Sequence, residues 1–128
     1  SNAAVPLNVV VAHGDTELVE MMLERGADPN HQYETFYRQF PLQIAVEKGF
    51  PEITELLLKY KAEPNKLTCY GETPLYIAEY RSNRDHIDEA DTIPRKQVVS
   101  LLKKYGAKLP ESKPLSRESF GSFRRVGC

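Results

Sequence analysis

Tryptophan is absent from this 128-residue chain, and cysteine and methionine occur only twice each. The two cysteines, Cys69 and Cys128, stand far apart in no metal-ligand or redox spacing. They are expected as reduced thiols in an intracellular, cytoplasmic setting rather than as a disulfide framework. No apolar run approaches the roughly 18 residues of a membrane span, and the first residues lack the basic and apolar regions of a secretory leader. An excess of one charge is lacking as well: 17 basic against 18 acidic side chains leave a formal net charge of -1. That balance gives no global attraction to nucleic acid or to an anionic membrane. Missing too are a glycine-rich phosphate loop, an H-E-x-x-H pair and a nucleophile elbow. The expectation is a non-enzymatic chain with no cofactor, no catalytic or metal site, and neither nucleic acid nor membrane as a partner.

What the chain does have is self-similarity. "VPLNVVVAHGDTELVEMMLERGADPN" (Val5 to Asn30) aligns without a gap on "FPLQIAVEKGFPEITELLLKYKAEPN" (Phe40 to Asn65). "TPLYIAE" (Thr73 to Glu79) and "QVVSLLKKYGAKL" (Gln97 to Leu109) match the first and last parts of the same unit. Pro6, Pro41 and Pro74 recur at spacings of 35 and then 33 residues. A proline at the first helical position has its φ preset and lacks only an N–H that would be unpaired anyway, so each is expected to start a short helix. Gly14 and Gly49 end the first two. A second helix follows in every unit, with Leu18, Met21 and Met22, then Ile53, Leu56 and Leu57, then Val98, Leu101 and Leu102 at i, i+3, i+4 spacing. That spacing gives one apolar stripe per helix. Gly26 and Gly106 stand where a helix C-terminus commonly needs a left-handed residue. A single helix pair cannot bury its stripe, whereas three pairs stacked side by side form one continuous core.

These recurring positions resemble the ankyrin repeat, with its T-P-L-H start, G-H junction, leucine-rich second helix and G-A-D-x-N close. The resemblance covers Val5 to Leu109 and implies an all-α solenoid of three stacked helix-turn-helix units with β-turn fingers. Ser1 to Ala3 read as a vector-derived remnant, 4–109 as the repeat domain (repeats about 5–35, 36–67 and 68–109) and 110–128 as a tail. Departures stand out. The threonine position holds Val5 and Phe40 in the first two units, and the histidine position holds Asn8, Gln43 and Tyr76. Lys61 replaces the left-handed glycine in "KYKAEPN", and since a Cβ in that conformation costs about 1 kcal/mol, this junction is expected to be the least regular of the three.

The third unit is enlarged. Pro74 to Gly106 spans 32 positions, against 20 from Pro6 to Gly26, a surplus of twelve lying around Arg81 to Ile93. "RSNRDHIDEAD" is expected to extend the first helix, and Asp91 or Thr92 to cap the next. In the tail, Phe120 and Phe123 are expected to cover the open end of the third unit, as solenoid caps do.

What the resemblance implies about function is protein binding, through the fingers and the inner face of the first helices. Carried over by position, the finger tips fall on Phe36, Tyr37 and Gln39, then on Cys69, Tyr70 and Glu72. The inner-helix positions fall on Ala12 and His13, on Glu47 and Lys48, and on Tyr80 and Arg81. Tyr33, Phe36 and Tyr37 are unusual in a turn that structure alone would fill with Gly, Asn and Asp. Tyr and Arg are favoured at binding hot spots, which singles out Tyr37, Arg38, Tyr70 and Tyr80. The expected state is a monomer that binds another protein. A second reading makes the array a scaffold or assembly segment of a longer protein, stacking through a first unit whose Val9, Val10 and Val11 are less polar than a terminal unit requires. A third, a small hydrolase or metal site on His86, Asp88, Glu89 and Asp91, has only an acidic surface insert behind it.

Overall fold

The structure is a computed structural model, and it describes residues 6–31, 39–68, 70–81 and 89–111, with backbone alone for 81 and 89–93. Six helical segments follow one another: α1 (Leu7–His13), α2 (Thr16–Glu24), α3 (Pro41–Lys48), α4 (Pro51–Lys59), α5 (Pro74–Tyr76) and α6 (Glu89–Lys104). α5 runs directly into a wider π-turn, Ile77–Arg81. The described residues contain no strand.

The helices line up in two rows. α1 packs beside α3 and α3 beside α5 with its π-turn, while α2 packs beside α4 and α4 beside α6. One seam runs between the rows. Leu7, Val11, Leu42, Val46 and Ile77 of the first row and Val19, Ile53, Leu57, Val98 and Leu102 of the second are all buried in one core cluster. Phe40, the largest fully buried side chain among the described residues, sits ahead of α3. Burial of such side chains supplies the main stabilisation of each pair, about 1.5–3 kcal/mol apiece.

The helix ends follow from particular residues. Pro41 and Pro74 occupy the first turn of α3 and α5, but Pro6 lies just outside α1, with ψ 142° and its carbonyl accepting from Val9 and Val10. Gly14 and Gly49 close α1 and α3 at φ 78° and 72°. Thr73, the one threonine kept at the unit start, accepts a hydrogen bond from Tyr76 N–H at 3.2 Å. Phe40, in the same place one unit earlier, makes no side-chain cap.

Three expectations are corrected. The Lys61 junction is as regular as its neighbours: Lys61 takes φ 78°, donates to Leu58 O at 3.1 Å, and is followed by Ala62 donating to Leu57 O at 2.9 Å. Gly26–Ala27 and Gly106–Ala107 make the same pair of bonds, and two capped carbonyls outweigh about 1 kcal/mol of Cβ strain. Secondly, Asp91 and Thr92 do not cap α6, because the helix already begins at Glu89 and runs through Pro94. Pro94 is the sixth helical residue, so it forgoes the bond to the Ala90 carbonyl and crowds that oxygen, a cost set against a helix of 16 residues. Thirdly, the last part of the insertion belongs to the second helix, since Glu89, Ala90 and Asp91 lie in α6. α6 has 16 residues where α2 has 9. The remainder of the insertion, 82–88, and the tail beyond 111 lie outside the described residues, and with them the capping role expected of Phe120 and Phe123.

Candidate functional site: fingers and first-helix row

Gln39 and Glu47 are brought together. The Gln39 side chain, at the base of the first finger, donates from Nε2 to Glu47 Oε2 on α3 at 3.2 Å, both groups being partly buried. The Gln39 carbonyl accepts from Asn8 Nδ2 at 2.6 Å. Asn8, standing at the histidine position of the repeat, therefore anchors the first finger from the preceding unit. Lys48 is exposed at the end of α3.

The second finger is organised by a residue that sequence reasoning passed over. Thr68 is buried, and its Oγ1 accepts from Tyr70 N–H and Glu72 N–H, each at 3.2 Å. Its N–H donates to the Glu72 carbonyl at 2.9 Å and its carbonyl accepts from Gly71 N–H at 3.0 Å. The result is a tight turn with Gly71 at φ 79°, the left-handed place that a three-residue hairpin loop requires. Tyr70 is half-buried on this turn. Glu72 is a correction: expected as a contact residue at the tip, it is only 3% exposed. Its carboxylate lies 3.4 Å from the Thr68 hydroxyl, so it serves the turn rather than the surface. The spacing of threonine and glutamate across a Gly-containing loop was the signal that could have shown this.

In the third unit Tyr80 is 53% exposed. Its ring lies against that of Tyr76, centroids 5.2 Å apart and planes tilted by 34°. Tyr76 had been placed only as a substitute for a histidine, yet its i, i+4 relation to Tyr80 makes the two neighbours on a helix face. Arg81 is the last residue of the π-turn, with its side chain undescribed. Phe36, Tyr37, Arg38 and Cys69 lie outside the described residues.

On the other side of the molecule a groove of about 620 Å³ runs between α4 and α6. Glu52 and Glu55 form one wall, and Lys96 and Lys104 the other. Opposed charges select no charged ligand class, and the groove brings no candidate residues together. Among the described residues no group of three His, Cys, Asp or Glu side chains could hold a metal. The acidic insert around His86 lies outside them. No helix among the described residues is long and apolar enough to cross a membrane.

A family model for ankyrin repeats, in three copies, matches residues 7–111, and the chain belongs to the ankyrin-repeat family. Members of that family are in general protein–protein interaction modules without catalytic activity. Among solved structures, the ankyrin repeat domain of human ASB11 is similar at 24% identity and a TM-score of 0.59. The match covers 82% of this chain and 41% of that one, so this chain spans less than half of that domain's length. At this identity the likeness concerns the fold. No curated protein sequence matches significantly.

Proposed function

We propose that this array recognises another protein through its first-helix row and its fingers, as a non-enzymatic intracellular adaptor working without a cofactor. The observation that carries the reading is the Tyr76–Tyr80 pair. One ring holds the other in place while more than half of Tyr80 stays open to solvent. A pre-ordered aromatic loses little side-chain entropy on binding and offers both apolar area and a hydroxyl. Around it the proposed contact surface takes in Gln39, Glu47 and Lys48, Tyr70 on the second finger, and the first-finger residues Phe36, Tyr37 and Arg38. Cys69 and Arg81 complete it. Glu72 is left out, since its carboxylate is buried in the turn.

The test is affinity capture with the wild-type chain, with Tyr80→Ala and with the double variant Tyr37→Ala/Tyr70→Ala. The expected result is loss of one specific partner by both variants, with thermal unfolding of Tyr80→Ala within about 2 °C of wild type, as for exposed positions generally. Undiminished recovery of the same partner by both would overturn the assignment of the surface.

A further inference from the structure

The two ends of the array differ chemically in a way the repeat itself makes legible. Leu18, Ile53 and Val98 are the same position in successive second helices. Ile53 and Val98 are each 1% exposed, whereas Leu18 is 37% exposed. Ile53 shares a small cavity with Gly14 and Thr16 of the first unit, which shows that this position faces the preceding unit. Val9 and Met22 repeat the contrast, since both are half-buried while their equivalents Ile44, Ile77, Leu57 and Leu102 are buried. Met21, on the same helix, is 45% exposed.

At the opposite end the described residues carry charge instead. Val11 and Val46, and likewise Leu23 and Leu58, are buried in the two units that another described unit follows. In the third unit these two positions are Glu79 and Lys103, joined as an ion pair at 3.3 Å. An end presenting an ion pair is poorly suited to cover Leu18 and Met21, because stacking would strip its water for no matching partner.

A second observation is independent of the apolar side chains. Asn30 stitches the first unit to the second: its Nδ2 donates to the Lys61 carbonyl at 2.9 Å, and its Oδ1 accepts from Glu63 N–H at 2.7 Å. Asn65 does the same one unit later, to the Gly106 carbonyl at 3.1 Å and from Lys108 N–H at 2.6 Å. The equivalent groups in the first unit are the Gly26 carbonyl and the Asp28 N–H. Both residues are exposed, and neither group is bonded elsewhere in the described chain. The first unit thus carries the receiving half of a stitch as well as the receiving half of an apolar seam.

We infer that the face of Val9, Leu18, Met21 and Met22 is a stacking surface for one more ankyrin-type helix pair, contributed by the same polypeptide on the N-terminal side of the first unit. That pair presents an apolar rear face as the first unit does through Val11 and Leu23, and carries an asparagine that bonds Gly26 and Asp28. A unit joined in cis is favoured over a separate partner, because the linking finger supplies a high effective concentration. A patch of four side chains, already partly covered, falls short of the ~800 Å² per partner of a stable interface between separate proteins. The inference concerns a different surface from the Tyr80 site and stands or falls without it.

The experiment fuses a second copy of residues 6–40 directly ahead of Pro6, so that Asn30 of the added copy faces Gly26 and Asp28. The extended chain is expected to unfold in one transition, about 5 °C or more above the parent, with a steeper denaturant dependence. Leu18→Glu in the original first unit should leave the parent within about 2 °C, and lower the extended chain by about 8 °C or more. Asn30→Ala in the added copy alone should remove part of the gain. An added segment that stays protease-sensitive, or a Leu18→Glu effect equal in both chains, would overturn the inference. So would sedimentation showing the parent as a dimer that Leu18→Glu dissociates, since the occupant would then be a second copy.

Discussion

Replacing Lys61 by glycine should make this protein more stable, although it deletes a side chain and adds backbone freedom. Lys61 is the one described residue other than glycine with a positive φ, 78°. A Cβ in the left-handed region costs about 1–2 kcal/mol. Glycine returns that cost but loses about 0.5–1 kcal/mol through the extra freedom of the unfolded chain, which leaves a net gain of about 0.5–1 kcal/mol. The Lys61 side chain is exposed, so its removal forfeits no packing. Its backbone bonds to Leu58 and Asn30 do not depend on the side chain. For a domain of this size the gain corresponds to about 2–6 °C in Tm, or about 0.3–0.5 M in urea midpoint. The comparison that makes the number interpretable is Gly106→Ala, at the same place one unit later. A Cβ there meets nothing within 4 Å, so its loss of about 1 kcal/mol is conformational alone. Paired urea titrations would read both. A Lys61→Gly chain no more stable than wild type, alongside a Gly106→Ala chain that does lose stability, would refute the reasoning.

Two further outcomes follow from named contacts. Asn65→Ala removes both bonds of a stitch, to the Gly106 carbonyl and from Lys108 N–H. It should cost about 1–3 kcal/mol and speed amide exchange selectively at Lys108. Gly14→Ala should cost more than Gly49→Ala, because both carry the left-handed strain but a Cβ on Gly14 would sit 3.2 Å from Phe50 Cζ, while the space around Gly49 is open. Urea midpoints of the two variants, measured side by side, check the order.

Much of the fold is written in the chain at the level of single positions. The prolines, the glycines at 14, 26, 49 and 106 and the i, i+3, i+4 stripes each state a local requirement for dihedral angle or face, and repetition in register makes the three units visible. The site was less legible. Tyr80 reaches the surface as its position implies, but Glu72 turns inward because Thr68 captures the turn through hydrogen bonds, signalled in the chain only by a threonine and a glutamate spaced across a glycine. The insertion was misread for a related reason. Outside the repeat nothing periodic constrains it, and a proline close to a helix start is compatible with a cap just before it or with a helix that began a turn earlier.

The sequence by itself determined the unit, its number and the seam along which units join, because these depend on chain-local geometry and on which side of a helix is apolar. Only the tertiary structure decided that Leu18 stays open where Ile53 and Val98 are covered, and that Glu79 meets Lys103 across the last unit. The physical reason is that exposure belongs to a residue together with its neighbours in space. Three positions with the same pattern acquire different environments according to whether another unit stands in front of them.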